Sequence, residues 1–87
     1  MRLKDKVVFI TGGAGGIGRG MALAMAKEGA RIAIVDINEE TGQKTVEELR
    51  KWTDAIFIQA NLMDHAALPT FIERTVDHFG RLDVLVN

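Results

Sequence analysis

The chain has 87 residues, which is long enough for one small domain and too short for two. Hydrophobic residues make up 47% and charged residues 26%, the balance of a folded protein rather than a disordered one. A net charge of −1 and few aromatic residues argue against binding to nucleic acid or an anionic membrane. The absence of cysteine excludes disulfides and thiol chemistry.

The amino-terminal residues are charged, and the apolar run that follows them is short, so we expect no signal peptide and no transmembrane span. The lack of cysteine fits a reducing compartment. We therefore expect a cytoplasmic protein.

Four short apolar runs predict strands that are buried on both faces, as in a parallel sheet. They cover residues 7–10, 32–35, 55–58 and 82–86. The segments between them carry helical spacing and caps, with helices expected at 16–28 and 39–51 and in a third segment opened by Asp64. Pro69 predicts a loose turn at 65–67 before the regular part of that third helix, because proline lacks an N–H and belongs in the first turn.

The resulting order is β-α-β-α-β-α-β, and connections of this length require parallel strands and right-handed crossovers. The sequence therefore predicts an α/β fold, a doubly wound parallel sheet of the Rossmann type with strand order 3-2-1-4. Residues 1–87 are expected to form one unit, with the strand at 82–86 left at an open edge. Such an edge predicts self-association or partial disorder of the chain in isolation.

The most informative segment is 11–18, Thr-Gly-Gly-Ala-Gly-Gly-Ile-Gly, between the first strand and the first helix. Glycines let the backbone turn sharply and approach a ligand, and a helix N-terminus offers unpaired N–H groups and a positive dipole end. The segment predicts a phosphate-binding loop. The alternative is a tight turn with close helix–strand packing and no ligand.

Asp36 follows the second strand, where a carboxylate is placed to hydrogen-bond ribose hydroxyls. Its alternative role is a negative charge at the start of the next helix. As a ribose ligand it would repel a 2′-phosphate, so we expect NAD to be preferred over NADP. No cation stands at Gly15 or Ile37, and Arg19, the nearest one, is expected to face solvent.

These residues resemble the short-chain dehydrogenase/reductase family, and the resemblance covers the whole chain. The family loop Thr-Gly-x-x-x-Gly-x-Gly and its acidic residue after the second strand are matched by Thr11, Gly12, Gly16, Gly18 and Asp36. The segment 80–87 is similar to the family's fourth strand and the first Asn of its Asn-Asn-Ala-Gly motif.

The resemblance implies an NAD-dependent oxidoreductase that moves hydride between the nicotinamide and an alcohol or ketone carbon. We expect Gly12 to make the turn, Gly16 and Ile17 to bring backbone to the pyrophosphate, and Gly18 to let the helix pack on the sheet. The complete set of expected cofactor contacts is Gly12, Gly15, Gly16, Ile17, Gly18, Asp36, Ile37, Asn61, Leu62 and Asn87. Asn87 would lie near the nicotinamide-side ribose. Where the family usually has Asp and a small apolar residue against adenine, this chain has Asn61 and Leu62, which predicts a weaker contact.

The family's catalytic Ser and Tyr-x-x-x-Lys helix would lie beyond residue 87, and the chain contains no tyrosine. We therefore expect no catalytic residue in this chain and no turnover by it, as for an incomplete part of a family domain. His65 and His78 lack ligand spacing, so no metal site is expected. The alternative function is a non-catalytic dinucleotide-binding fragment or an association module.

Overall fold

The computed structural model describes residues 3–12, 15–61 and 65–86. In chain order the elements are β1 (Val7–Thr11), α1 (Gly16–Lys27), β2 (Arg31–Asp36), α2 (Glu39–Leu49), β3 (Ala55–Gln59), a 3₁₀ turn (His65–Ala67), α3 (Leu68–Phe79) and β4 (Val84–Val86). Within these ranges, every strand and helix expected from the sequence is present. The expected helix start at Asp64 lies outside the described residues.

The four strands form one parallel sheet in the order β3-β2-β1-β4. In register, Val8 of β1 lies between Ile32 of β2 and Val84 of β4. Each connection between parallel strands contains a helix, as the crossover requires. The predicted doubly wound topology is confirmed.

The central strands β1 and β2 are buried on both faces, because successive side chains point to opposite sides of the sheet and helices cover both sides. In β1, Val8 and Ile10 pack on the side covered by α1 and α2, while Val7 and Phe9 pack on the side of α3. All four are buried. Because neither face of the central part of these strands is in contact with water, every position there carries an apolar residue, and the sequence shows continuous apolar runs.

The helix ends carry the expected caps. The Asn38 side chain accepts a hydrogen bond from the Thr41 N–H at 3.0 Å and caps α2. Gly29 and Gly80 take positive φ values of 93° and 85° after α1 and α3, a conformation that glycine adopts without steric cost. Pro69 lies in the first turn of α3, where its missing N–H costs nothing, and the preceding 3₁₀ turn is the loose turn predicted at 65–67.

The fourth strand is shorter than predicted, beginning at Val84 instead of residue 82. The Asp83 carboxylate accepts a hydrogen bond from the Val7 N–H at 2.9 Å, and the Asp83 N–H donates to the Val7 carbonyl at 3.0 Å. A side chain thus takes the place of a ladder acceptor at this point. Leu82 packs among the α3-side core residues.

Helix α2 lies close to β3 at Gly42, which is buried. A Cβ atom on Gly42 would lie 2.1 Å from Cε1 of the Phe57 ring. Glycine is needed here because the ring occupies the space of a side chain. This contact fixes the position of α2 on the outer half of the sheet.

Candidate functional site

The carboxyl ends of three neighbouring strands meet at one edge of the sheet. The Gly12 N–H, after β1, donates to the Val35 carbonyl in β2 at 2.7 Å. The Ala60 N–H, after β3, donates to the Asp36 carbonyl at 3.0 Å. Gly12, Asp36 and the residue that follows Ala60 therefore lie side by side. In doubly wound sheets, ligands bind outside this carboxyl edge.

The backbone between β1 and α1 takes conformations that favour glycine. Gly12 has φ 69° and Gly16 has φ 51°, both in the left-handed region. Gly15, between them in the sequence, is extended with φ −128°. A Cβ at any of these three positions would meet nothing within 4 Å, so the surface above the turn is open. Gly13 and Ala14 lie outside the described residues.

Helix α1 begins beside this turn with its N–H groups uncapped by a side chain. Gly15 is the N-cap residue and makes no side-chain hydrogen bond, and the first turn carries no acidic residue. The first intrahelical amide bond runs from the Arg19 N–H to the Gly15 carbonyl at 3.4 Å. Ile17 is 84% exposed and Gly18 is half-buried. The helix thus presents amide donors and a positive dipole end toward the carboxyl edge.

Asp36 is half-buried at the end of β2, and its Oδ1 accepts a hydrogen bond from the Asn38 N–H at 3.1 Å. This local bond orients the carboxylate next to the start of α2. The carboxylate therefore lies beside the amino-terminal end of α2, where a negative charge is favourable. Ile37 is 62% exposed, and its carbonyl accepts from the Gln59 side chain at 3.3 Å.

Asn61 is exposed just beyond β3, at the same edge as Asp36. Leu62 and Asn87, the remaining predicted contacts, lie outside the described residues. The Thr11 hydroxyl donates to the Val86 carbonyl at 3.3 Å, so the end of β4 reaches this edge as well. The structure therefore brings together the predicted residues that it describes, namely Gly12, Gly15, Gly16, Ile17, Gly18, Asp36, Ile37 and Asn61.

Arg19 is exposed, as expected, and it also has a partner that the sequence did not indicate. Its guanidinium is ion-paired with Glu48, and Nη2 contacts both carboxylate oxygens. The two residues are 29 positions apart, and no sequence spacing signals such a contact. The pair joins α1 to α2.

Away from this edge, a groove of about 510 Å³ runs along the outer side of β3. It is lined by Gln43 and Arg50 of α2, Arg74 and Asp77 of α3, and backbone and side chains of β3. None of the predicted site residues lines it. This groove is thus separate from the carboxyl edge, where the open glycine turn and the acidic residue lie.

In the three described stretches, no group of three or more His, Cys, Asp or Glu side chains is placed to hold a metal ion. No helix among those same residues is long and apolar enough to cross a bilayer.

The family profile described as short chain dehydrogenase matches residues 6–87. The chain belongs to the short chain dehydrogenase family. The resemblance noted in the glycine-rich loop and in Asp36 is thereby confirmed.

Individual relatives are similar along the whole chain. The human protein 15-hydroxyprostaglandin dehydrogenase (NAD(+)) is 41% identical over 90 residues, which cover 100% of this chain and 34% of that protein. A sorbitol dehydrogenase of Cereibacter sphaeroides is 41% identical over 87 residues, covering 100% and 33%. The chain spans about a third of the length of these relatives.

A crystal structure of NAD+-bound xylitol dehydrogenase superposes with a TM-score of 0.93 at 30% identity. The match covers 98% of this chain and 33% of that one. The similarity in structure therefore extends over nearly all of the present fold.

Proposed function

We propose that residues 1–87 are the dinucleotide-binding portion of an NAD-dependent oxidoreductase. The observation that carries the proposal is the meeting of three features at one edge: the left-handed glycine turn, the uncapped start of α1 and the Asp36 carboxylate. Amide donors suit a diphosphate, and a carboxylate suits ribose hydroxyls. The names of two relatives, an NAD(+) dehydrogenase and an NAD+-bound dehydrogenase, support the same cofactor.

Each residue has a proposed role in holding the dinucleotide. Gly12 makes the turn, and Gly15, Gly16 and Ile17 present backbone to the pyrophosphate, with Gly18 packing the helix on the sheet. Asp36 and Ile37 border the adenine-side ribose. The remaining contacts, to adenine and to the nicotinamide-side ribose, are assigned to Asn61, Leu62 and Asn87.

NAD is the preferred cofactor under this proposal. The Asp36 carboxylate attracts ribose hydroxyls and repels a 2′-phosphate at the same position. Neither neighbouring position that borders the ribose, Gly15 or Ile37, supplies a positive charge to offset that repulsion.

The bound nicotinamide would supply hydride chemistry toward an alcohol or ketone carbon, while the protein supplies position and electrostatics. In the family, proton transfer belongs to a Ser and a Tyr-x-x-x-Lys helix, and this chain contains no tyrosine. We therefore propose that residues 1–87 bind the dinucleotide without turning over substrate. Reduction of NAD by the purified chain with a secondary alcohol would contradict this.

Calorimetric titration of NAD into the chain tests the proposal. Asp36→Asn removes the charge but keeps an acceptor for Asn38, and we expect NAD binding to weaken about tenfold, or about 1.4 kcal/mol. The matched control is Asp54→Asn, since Asp54 precedes β3 at the opposite edge and contacts His78 there. Equal weakening by both variants, or no NAD binding by the wild-type chain, would contradict the assignment.

A second candidate function is association through the outer side of β4. Val84 and Leu85 are 38% and 46% exposed, and β4 is the last strand of the sheet in the described chain. An apolar edge strand offers unpaired backbone groups to another chain. We expect concentration-dependent dimers in sedimentation experiments. A monomer at every concentration would refute association.

The expected cytoplasmic location stays a prediction.

A further inference from the structure

An ion pair links the start of α1 to the end of α2. Arg19 Nη2 contacts both carboxylate oxygens of Glu48, and the two side chains are 44% and 33% exposed. Arg19 is the fourth residue of α1, and Glu48 is the last but one residue of α2. The guanidinium is therefore held near the far end of α2.

Without that partner, the helix itself would direct Arg19 toward the carboxyl edge. Side chains on an α-helix lean toward its N-terminus. The Arg19 N–H bonds to the Gly15 carbonyl, so Arg19 lies one turn behind Gly15 on the same helix face. A Cβ on Gly15 would meet nothing within 4 Å, which leaves the path over this residue open.

The side of α1 that carries Arg19 also faces Asp36. Glu48 belongs to α2, which packs on β2 and β3, so a contact to Glu48 places Arg19 on the β2 side of α1. Asp36 ends β2 at the carboxyl edge. Glu48 is nine residues beyond the start of α2, so it lies about 14 Å down the helix from that edge. The ion pair thus turns Arg19 away from Asp36.

We infer that Glu48 is a specificity-determining residue: it positions the Arg19 guanidinium away from the ribose 2′ position and thereby disfavours a 2′-phosphate. The inference rests on the proposed NAD site. Two devices then act together against NADP, the repulsion by Asp36 and the sequestering of Arg19. Exposed ion pairs are weak, so a single substitution at Glu48 is enough to release the guanidinium without unfolding the chain.

The test compares NAD and NADP affinities by calorimetry in Glu48→Gln and in the matched control Glu47→Gln. Glu47 is an exposed neighbour on the same helix, so the control makes the same change of net charge. We expect Glu48→Gln to tighten NADP binding about threefold, the scale set by an exposed ion pair, while NAD affinity changes less than twofold. Glu47→Gln should leave the ratio of the two affinities unchanged. Thermal melting of each variant checks that the fold is retained.

The double variant Arg19→Met/Glu48→Gln identifies the group responsible. It should return NADP affinity to the wild-type value, because the released guanidinium is gone. Adenosine 2′,5′-bisphosphate, which carries the 2′-phosphate without the nicotinamide half, should follow the same order across the variants.

These titrations distinguish failure of the inference about Glu48 from failure of the proposed NAD site. If the wild-type chain binds NAD but Glu48→Gln does not improve NADP binding, the inference is wrong and the proposed function stands. If NADP binding improves equally in Glu47→Gln, or persists in the double variant, the effect is one of net charge and the inference is again wrong. If no variant binds either dinucleotide, the proposed function fails and the inference falls with it.

Discussion

Substitution of Gly42 by alanine should destabilise the fold, although alanine is the better helix former. The added Cβ would lie 2.1, 2.3 and 2.6 Å from Cε1, Cζ and Cδ1 of Phe57. Carbon atoms in contact are separated by about 3.5–4.0 Å, so the Phe57 ring must move away from the added Cβ by more than about 1 Å. Phe57 is half-buried and packs against the α1–α2 side of the core, so a shift of its ring disturbs contacts there.

Overpacking of this kind lowers the free energy of unfolding by about 1–3 kcal/mol. The higher helix propensity of alanine offsets about 1 kcal/mol of that loss. Gly20→Ala is the matched control, because Gly20 lies inside α1 and a Cβ there would meet nothing within 4 Å. Gly20→Ala should therefore stabilise the chain by up to about 1 kcal/mol.

Urea unfolding followed by circular dichroism measures both variants, with a difference of about 2 kcal/mol between them expected from the same principles. A second variant, Gly42→Ala/Phe57→Leu, should recover part of the lost stability, because leucine does not fill the space of the ring. Equal stability of Gly42→Ala and Gly20→Ala would refute the steric reasoning.

Two further predictions concern the glycine turn and the start of β4. Gly16→Ala should lower the free energy of unfolding by about 1–2 kcal/mol, because Gly16 has φ 51°. The control Gly15→Ala, at an extended residue, should change the free energy of unfolding by less than about 0.5 kcal/mol. Indistinguishable urea midpoints of the two variants would contradict this. The hydrogen bond from Arg81, followed by that from the Val7 N–H, holds the pKa of Asp83 below its usual range. The carboxylate therefore contributes stability that is complete above the unfolded pKa of about 3.9 and is lost as the pH falls through the folded value. Asp83→Asn should flatten the fall in melting temperature below about pH 4, and an unchanged acid profile would count against the contact.

Much of the fold could be predicted because its signals are local. The strand cores are continuous apolar runs, Asn38 caps α2, and Gly29 and Gly80 end their helices, all of which follow from neighbouring residues alone. The strand order then follows from the parallel crossovers.

The features that were missed depend on contacts between distant residues. Asp83 bonds to Val7, 76 residues away in the sequence, so the β4 ladder begins only at Val84. The pairing of Arg19 with Glu48 likewise depends on how two helices lie against each other. The candidate site itself was predictable, because its residues follow successive strands and parallel strands end at the same edge.

Amide NMR spectra of the chain during an NAD titration show which residues the dinucleotide contacts, and so test whether it binds at the carboxyl edge. We expect the signals of the described glycines at the α1 start, of residues 36–38 and of Asn61 to shift together with one dissociation constant. The signals of residues 51–54, at the opposite edge, should stay in place. Shifts confined to the β3 groove beside Arg50 and Arg74, or none at saturating NAD, would contradict a dinucleotide bound on the N-terminus of α1.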